Sequence, residues 1–530
     1  MASQEKLAQK TLKRYNKAKE EATLWRSSLE EVYQYVIPNR DLFSTYGPGQ
    51  KKDQLVFDSS PLIATNKYVS RLQNLLVRPW TEWFTLTAGT EIKEEEKEQI
   101  NDYLQKATDV VMDAINHSNF STQIAEAFTD LAVSTGVIMV NEDNNPHSDS
   151  DIIFKTIPLS HVALENSSTG DVKTVYREFQ IPLNQITATW NKAKLTPEMN
   201  DIYEENPTAL QTIIECTIYR EEDYKFDFVL LTPTGKILLS ETIDDSPFIV
   251  FRENVVSGES FGRGRLMSLI SDIKTLNKTV ELGLKAASLA ISGVFTAVDD
   301  GIINVKNIRL QPGAVIPVGS NSSTNPSLAP LQSPANFQIE QMLVQEIRTR
   351  INEYMLVEPF GDINDTSVRT ATEMNMRQND FIQTSVSSFS RLQTELLSKI
   401  VNKVIAILVK KEKLPPLTID GKEIKVQYTS PVAKMQGSEE IQEWQQFMEI
   451  MQTIPPEVAQ TAIKFDKIPD YIATALSLDK TLLRTTEERK QLTEKNIEMQ
   501  QMAQSKQMMD AQKLGANQAP QAPAIGQGQQ

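Results

Sequence analysis

The chain has 530 residues and a formal net charge of −15, with 40% hydrophobic and 23% charged residues. This composition is typical of a soluble globular protein with several domains, and it argues against a free nucleic-acid binder, which would normally be basic. The longest apolar run, 286–298, is interrupted by Ser288, Ser292 and Thr296, so no membrane span is predicted. The chain opens with a polar helical pattern in place of a signal peptide, and we therefore expect a cytoplasm-like compartment.

The cysteine and histidine content argues against metal and redox sites. Cys216 is the only cysteine, which excludes an intrachain disulfide and a cysteine metal cluster, and its apolar neighbours indicate a small core residue. His117, His147 and His161 show none of the spacings that zinc sites require. We therefore predict no metal, no cofactor and no enzymatic activity.

The first third of the chain is predicted to be helical. A helical pattern extends over 5–36, and Pro38 enforces its end because the residue before a proline disfavours the helical conformation. Ser60 and Pro61 suit the N-cap and first position of a second helix. A third helix is predicted at 91–116.

Between residues 151 and 251 the pattern changes to short apolar runs separated by proline and glycine turns, as expected of β-strands. These runs are 152–154, 172–181, 213–219, 226–231 and 248–251, and a later strand is predicted at 424–428. Together with the helices, they predict an α+β, helix-rich fold.

A glycine-rich turn at 261–264 precedes a long amphipathic helix at 265–291. Its apolar residues recur at steps of three and four, which keeps them in one stripe of Leu266, Ile270, Ile273, Leu276, Val280, Leu284 and Ala287. Lys274, Lys278 and Lys285 lie on another face, as a groove or channel facing phosphates requires. The alternative is an ordinary solvated face over a core helix.

Two motifs at this turn suggest enzymes, and both are rejected. Gly258, Ser260 and Gly262 match the G-x-S-x-G nucleophile elbow, but hydrolases with this elbow place their histidine after the serine. All three histidines precede Ser260, so the serine lacks a base and a structural glycine turn is favoured. Gly262 and Gly264 resemble part of a dinucleotide-binding loop, but Met267 stands where the third glycine belongs.

The rest of the chain combines a β insertion with long helices. The segment at 292–334 is rich in strand and turn residues, and a second amphipathic helix follows it at 335–356. A helix at 367–411 would span roughly 60 Å at about 1.5 Å per residue. Residues 437–512 are again helical, and the composition of 513–530 predicts a disordered tail.

Eight short segments stand in a specific order and spacing. They are Tyr35-Val36-Ile37-Pro38, Phe57-Asp58-Ser59-Ser60, Arg78-Pro79-Trp80 to Trp83-Phe84, Phe261-Gly262-Arg263-Gly264, Asp272-Ile273-Lys274-Thr275-Leu276-Asn277, Gln311-Pro312-Gly313-Ala314-Val315-Ile316, Arg369-Thr370-Ala371-Thr372-Glu373-Met374 with Arg377, and Tyr428-Thr429-Ser430-Pro431-Val432-Ala433. Through these segments the chain, from about Trp25 to Met435, resembles the head-to-tail connector, or portal, family of short-tailed phages.

The resemblance implies a portal fold assembled as a ring of twelve subunits. Its regions would be a wing at 1–264 and 367–436, a stem of two helices at 265–291 and 335–356, a clip at 292–334, a tunnel loop at 357–366, a helical crown at 437–512 and a disordered tail at 513–530. The tunnel loop would present Glu358, Pro359, Phe360, Gly361 and Asp362 to the channel.

The resemblance also implies a function at one vertex of the capsid, where the ring would be the channel for DNA packaging and ejection and the platform for the tail. The implied partners are further copies of the chain, the terminase large subunit, a tail adaptor or tail tubular protein, major capsid and scaffolding proteins, internal core proteins, and double-stranded DNA bound without sequence specificity. No membrane partner is implied. The protein would be assembled in the host cytoplasm and reside in the virion.

The candidate DNA-channel residues are the stem cations Lys274, Lys278, Lys285, Arg348 and Arg350. With Arg263 and Arg265, the cations of the first stem region outnumber Asp272 and Glu281, which predicts a locally positive stem inside an acidic ring. The alternative is that these cations pair with acids of neighbouring subunits. The competing functions are a hydrolase that uses Ser260 and an intracellular helical scaffold or adaptor without a channel.

Overall fold

The computed structural model describes residues 2–43, 49–88, 94–145, 147–292, 295–297, 328–330, 337–357, 389–415, 424–428 and 444–451, with isolated residues between 468 and 502. The chain divides into two compact units, Met1–Val432 and Ala433–Gln530. In the second unit a helix at 444–451 carries Trp444 and Phe447, whose rings stack with centroids 5.2 Å apart.

The first unit combines helices and antiparallel strands in an α+β arrangement. Its helices are α1 (Ala2–Val36), α2 (Ser60–Leu76), α3 (Glu94–Asn116), α4 (Phe120–Val133), α5 (Leu183–Thr189), α6 (Pro197–Glu205), α7 (Arg265–Ser292), α8 (Phe337–Tyr354) and α9 (Ser398–Lys410). Its strands are β1 (Phe84–Ala88), β2 (Thr135–Glu142), β3 (Ile152–Thr156), β4 (Val162–Asn166), β5 (Val172–Pro182), β6 (Leu210–Tyr219), β7 (Phe226–Leu231), β8 (Ile237–Ile243), β9 (Phe248–Arg252), β10 (Phe295–Ala297), β11 (Leu328–Pro330) and β12 (Ile424–Tyr428).

Local sequence explains where several helices begin. Pro61 lies in the first turn of α2, where its missing N–H removes no helical hydrogen bond. Ser60 is already helical, and Asp58 Oδ1 accepts a hydrogen bond from its backbone N–H at 2.7 Å, so the capping acceptor is Asp58 and not Ser60. At the start of α6, Thr196 Oγ1 accepts a hydrogen bond from the backbone N–H of Met199 at 3.3 Å.

A five-stranded antiparallel sheet in the order β4-β5-β6-β7-β8 is covered by helices on both faces. Successive residues of a strand point to opposite faces, so the neighbours Ile213 and Ile214 on β6 belong to different buried clusters. Ile214 shares its cluster with Tyr15 of α1. Ile213 shares the other with Leu183 of α5 and Met199 of α6. The sheet is therefore the middle of three layers.

A second sheet, in the order β3-β2-β9, lies in the main core. Gly136 on β2 faces Phe251 on β9, and a Cβ at residue 136 would overlap the phenyl ring. The absence of a side chain at Gly136 therefore leaves space for the Phe251 ring to lie over β2. The same buried cluster includes side chains of α2, α3, α4 and α9 and of the first half of α7, so this core joins the N-terminal helices to the later part of the unit.

α7 and α8 form an antiparallel helical pair. Arg265 at the start of α7 donates a hydrogen bond to the backbone oxygen of Tyr354 at the end of α8, with Nη1 and the oxygen 2.7 Å apart. Toward the other end, Gly283 of α7 lies so close to Glu340 of α8 that a Cβ at residue 283 would overlap the carboxylate. Between the two helices in sequence, β10 and β11 pair antiparallel.

Among the described residues, the strands and helices predicted from sequence are found, and the structure adds several elements. β7 and β12 have the predicted bounds, and α1 begins at Ala2, earlier than predicted. β12 pairs antiparallel with β1, so the last strand of the unit closes against an early one. The elements without a counterpart in the sequence prediction are α4, α5, α6, β1, β2, β4 and β8.

Other predictions fall outside the described residues. They concern the clip at 292–334 apart from β10 and β11, the tunnel-loop residues Glu358, Pro359, Phe360, Gly361 and Asp362, residues 367–388 of the long helix, most of the crown at 437–512 and the tail at 513–530. The described part of the long helix begins at residue 389 and passes through a π-helical turn at Gln393–Leu397 into α9.

Candidate functional site

Lys278 and Lys285 on α7 share one carboxylate. Lys278 Nζ lies 2.9 Å from Glu281 Oε2, and Lys285 Nζ lies 2.6 Å from Glu281 Oε1, because residues three and four apart are neighbours on a helix surface. The hydrogen bonds from Lys285 and Lys278 hold the pKa of Glu281 below its usual range. Two ammonium groups face one carboxylate, so this group keeps a surplus positive charge on side chains that are 62% and 65% exposed.

Lys274 and Arg350 are balanced by acids of the same chain. Lys274 forms an ion pair with Glu31 of α1, and the hydrogen bond to Glu31 raises the pKa of the lysine. Arg350 lies between two carboxylates, with Nη2 at 3.1 Å from Glu346 Oε1 and Nη1 at 3.6 Å from Asp272 Oδ1. Neither cation therefore adds a surplus positive charge to the described part of the helical pair.

Arg348 of α8 binds a buried carboxylate. Its Nη2 and Nε donate to Asp58 Oδ2 at 2.6 and 3.2 Å, and the Asp58 side chain is 2% exposed. Burial alone would raise the pKa of Asp58, but hydrogen bonds from Ser60 and Arg348 outweigh burial and lower that pKa. Arg348 therefore fixes the segment before α2 to the helical pair.

Asn277 of α7 holds the same segment from the other helix. Its Oδ1 accepts a hydrogen bond from the backbone N–H of Phe57 at 2.6 Å, and its Nδ2 donates to the backbone oxygen of Leu55 at 2.6 Å. Asp58, Asn277 and Arg348 are called the loop clamp below. The first two lie within segments that carry the sequence resemblance, but nothing in the sequence indicates that these segments touch.

The base of the helical pair is also held by ion pairs. Arg265 Nε donates to Glu253 Oε1 at 2.7 Å, and the hydroxyl of Tyr68 donates to Glu253 Oε2 at 2.7 Å. Arg263 Nη2 lies 2.5 Å from Glu259 Oε1. The sequence-based count of stem charges includes Arg263 and Arg265 but neither Glu253 nor Glu259. These two acids therefore reduce the surplus positive charge at this end of the helical pair.

The turn that contains Ser260 has a structural role. A Cβ at Gly262 would lie 2.8 Å from the backbone oxygen of Ser134, and a Cβ at Gly264 would overlap the backbone of Val133. Ser134 Oγ donates to the backbone oxygen of Gly262 at 2.6 Å. Ser260 is buried, and among the described residues no histidine forms a hydrogen bond with it. The turn thus packs against the end of α4 and offers no base for a nucleophilic serine.

The apolar stripes of α7 and α8 are buried near the base of the pair and exposed farther out. Ile273, Leu276, Ile347 and Ile351 are buried in the main core. Farther out, Leu284 and Ile339 continue the stripes and are more than half exposed, and so are Leu282 and Met342 on other faces of the two helices. A single copy of the chain therefore leaves the outer part of this hydrophobic surface in contact with water.

Other site classes find no support in the part of the chain that the structure describes. No group of three or more His, Cys, Asp or Glu side chains is arranged to hold a metal ion. Cys216 is buried, and burial raises the pKa of its thiol, as expected for a core residue. Within the same residues, no helix is both long enough and apolar enough to cross a membrane.

Comparison with known proteins gives consistent matches over nearly the whole chain. It is 21% identical to the probable portal protein of Bordetella phage BPP-1, over 95% of both chains. It is 20% identical to the portal protein of Escherichia phage T7, over 93% of this chain and 90% of the relative, and 20% identical to that of Enterobacteria phage T3, over 90% and 88%. The family model described as bacteriophage head to tail connecting protein matches residues 8–483, and the chain therefore belongs to that family.

Proposed function

We propose that this chain is a portal protein that assembles as a ring of twelve copies at one vertex of a phage capsid. The ring is the channel for genome packaging and ejection and the platform to which the tail attaches. This proposal rests on the family match over residues 8–483 and on relatives that are portal proteins and that align with this chain along most of their length. Like them, the chain acts as a structural component of the virion and not as an enzyme.

Within the ring, α7 and α8 correspond to the stem and line the channel. The other regions are the wing at 1–264 and 367–436, the clip at 292–334, the tunnel loop at 357–366, the crown at 437–512 and the tail at 513–530. The antiparallel pairing of α7 with α8, with β10 and β11 between them in sequence, supports this division.

The exposed apolar surface on the outer part of α7 and α8 is the observation that carries the ring proposal. Leu282, Leu284, Ile339 and Met342 are more than half exposed in one copy, and exposed apolar side chains concentrated on one helical pair are typical of protein–protein contacts. Neighbouring stems would bury it. Negative-stain electron microscopy of the purified chain should reveal rings with a central hole, and a uniform population of monomers or filaments would contradict the proposal.

Lys278 and Lys285 are the candidates that the charges favour for contact with DNA. They alone among the five predicted cations bring two positive charges to one carboxylate, whereas Lys274, Arg348 and Arg350 each face at least one acid of their own. Phosphate contacts of this type carry no sequence information. In an acidic chain, sparse positive contacts allow DNA to slide because the surrounding surface repels phosphates.

A charge-reversal variant tests this assignment. Lys278→Glu with Lys285→Glu places three carboxylates on the same face of α7, and we expect phage that carries it to package or retain less DNA. The matched control is Lys51→Glu with Lys67→Glu, two exposed lysines outside α7 and α8. If the α7 variant formed rings of normal appearance and gave filled heads at the wild-type frequency, neither lysine would be needed for contact with DNA in the channel.

The remaining partners follow from the same role. The sequence contains no G-x-x-x-x-G-K-[ST] loop, so a separate motor, the terminase large subunit, hydrolyses ATP during packaging. A tail adaptor or tail tubular protein, the major capsid and scaffolding proteins, and internal core proteins contact the ring. Assembly takes place in the host cytoplasm, and the mature protein resides at the portal vertex of the virion.

A further inference from the structure

Four lysines form a continuous basic stripe on the outer face of α1. Lys6, Lys10, Lys13 and Lys17 follow one another at steps of four, three and four, which places them on one side of the helix over about 16 Å. All four are exposed. Within the described part of the chain, none of them is paired with a carboxylate. They are called the lysine stripe below.

The lysine stripe points away from the sheet that α1 covers. The buried residues of the same part of α1 lie about half a turn from the stripe, and they are Ala8, Thr11, Tyr15 and Ala18. The other cations of this segment are paired, since Arg14 Nη2 lies 3.0 Å from Glu165 Oε2 and Lys19 Nζ lies 2.6 Å from Glu178 Oε2. Among the described residues, Arg14 and Lys19 thus pair within the fold, whereas the lysine stripe remains available to another molecule.

An acidic patch occupies the outer face of α6. Asp201, Glu204 and Glu205 are exposed, and their spacing places them on one side of the helix, opposite the buried Met199. Among the described residues no cation pairs with any of the three, whereas Glu198 on the same helix is paired with Lys236 at 2.6 Å. Asp201, Glu204 and Glu205 are called the acidic patch below.

The lysine stripe and the acidic patch lie on opposite sides of one sheet. Tyr15 and Ala18 of α1 pack on one face of the five-stranded sheet, and Met199 of α6 packs on the other. Because both charged groups point away from the buried side chains of their helices, this three-layer module is basic on one outer surface and acidic on the opposite one. In a cyclic ring, two different surfaces of each copy meet its two neighbours.

We propose that the lysine stripe of one copy docks on the acidic patch of the next copy in the ring. This contact rests on the ring assembly proposed above and adds to it a second, electrostatic interface on the wing, apart from the apolar stem. Complementary charges of this kind fix the orientation and register of neighbours because a wrong docking brings like charges together.

A second copy of the chain is a better occupant of the lysine stripe than nucleic acid. The second copy carries a patch of opposite sign on the opposite outer surface of the same three-layer module, and a rotational repeat brings two different surfaces of neighbouring copies together. A duplex that approached the stripe would also meet a protein with a net charge of −15, which repels phosphates.

Charge reversal on each surface, singly and together, tests the contact. The first variant is Lys10→Glu, Lys13→Glu and Lys17→Glu, and the second is Asp201→Lys, Glu204→Lys and Glu205→Lys. Each should raise about tenfold or more the protein concentration at which half of the chain is in rings, measured by sedimentation velocity. The combined variant again pairs opposite charges between copies, so it should restore assembly to near the wild-type concentration.

The two single-surface variants separate this contact from an effect of net charge. The α1 variant makes the chain more acidic and the α6 variant makes it less acidic, so general repulsion between acidic copies would weaken one and strengthen the other. Lys51→Glu, Lys67→Glu and Lys106→Glu, three exposed lysines elsewhere, form the matched control. Circular dichroism should give wild-type spectra for all variants, because every changed side chain is exposed.

Each of the following outcomes would overturn the proposal. If rings assembled normally with the charges of one surface reversed, the proposed contact would be contradicted, whereas the proposed ring would not. The contact would also be contradicted if the control variant weakened ring assembly as much as the reversed surfaces do, or if the combined variant did not restore assembly. Wild-type protein that forms no rings would contradict the proposed function and this contact with it. Loss of binding to a fluorescent 20-base-pair duplex in the α1 variant, with normal rings, would assign the stripe to DNA instead.

Discussion

At the residue scale, the stem cations differ in the partner that holds each of them. Arg348 faces the buried carboxylate of Asp58, whereas Lys278 and Lys285 share Glu281 near the outer end of the described helical pair. Sequence spacing treats these side chains alike because it reports the helix face and not the partner across the contact. The structure separates a cation that fixes the fold from cations that remain available to a ligand.

Asp58→Asn should weaken the loop clamp in a pH-dependent way. The folded-state pKa of Asp58 is lowered, so its contribution to stability is present above the ordinary value of 3.8 and is lost as the pH falls through the folded pKa. At neutral pH the variant should lose about 1 to 2 kcal/mol of unfolding free energy. Urea unfolding of both proteins from about pH 7 down to about pH 3 should give a difference that narrows in acid.

Asp272→Asn is the control for this prediction. Asp272 lies 3.6 Å from Arg350 and is partly exposed, so the control should change the unfolding free energy by less than about 0.5 kcal/mol. A difference between wild type and Asp58→Asn that stays constant across the pH range would show that the Asp58 charge does not stabilise the clamp.

At the scale of secondary-structure elements, one buried ion pair joins β9 to the helix that leads into α9. Glu395 Oε2 accepts a hydrogen bond from the backbone N–H of Arg252 at 2.9 Å, and Glu395 Oε1 accepts one from Arg252 Nη2 at 3.1 Å. Arg252 also reaches the backbone oxygen of Ser260 at 3.4 Å. The π-helical turn at Gln393–Leu397 carries Glu395, so an irregular turn of the helix carries the carboxylate that the strand requires.

Glu395→Ala should destabilise the first unit strongly. It leaves the Arg252 guanidinium buried without its carboxylate, and breaking a buried pair in this way costs about 3 to 5 kcal/mol. Chemical denaturation followed by circular dichroism measures the change. Arg391→Ala is the matched control, because Arg391 is exposed and lies 3.6 Å from the same carboxylate. Similar small losses in both variants would contradict a stabilising role for the buried pair.

The accuracy of the sequence prediction also varies from element to element. β7 and β12 have their predicted bounds because short apolar runs between turn residues specify strands well. α4 and β2 are not predicted because the apolar runs on either side of Ser134, Thr135 and Gly136 are short, and periodicity alone does not assign a short apolar run to a helix or to a strand. The break comes at Ser134, where the chain leaves α4 and enters β2.

At the scale of the whole molecule, the candidate site depends on contacts between distant segments. The stem charges were counted from α7 and the turn before it, but Glu31 of α1 and Asp58 before α2 neutralise two of the five candidate cations. Such pairings follow from how the core packs α1, α2, α7 and α8 together, and no local pattern encodes them. The exposed apolar stripe could be read from periodicity, whereas its burial at only one end could not.

The division of the chain at Val432 leads to a prediction about truncation. The three buried clusters lie before that residue, so a chain that ends at Val432 should fold with a circular dichroism melting midpoint within a few degrees of wild type. It retains α7 and α8, and negative-stain images should still contain rings. A chain that ends at residue 388 is the control, because it lacks Ile400, Val404 and Leu408 of the main core and should fail to melt cooperatively. Loss of cooperative melting in the longer truncation would show that the second unit is required to fold the first.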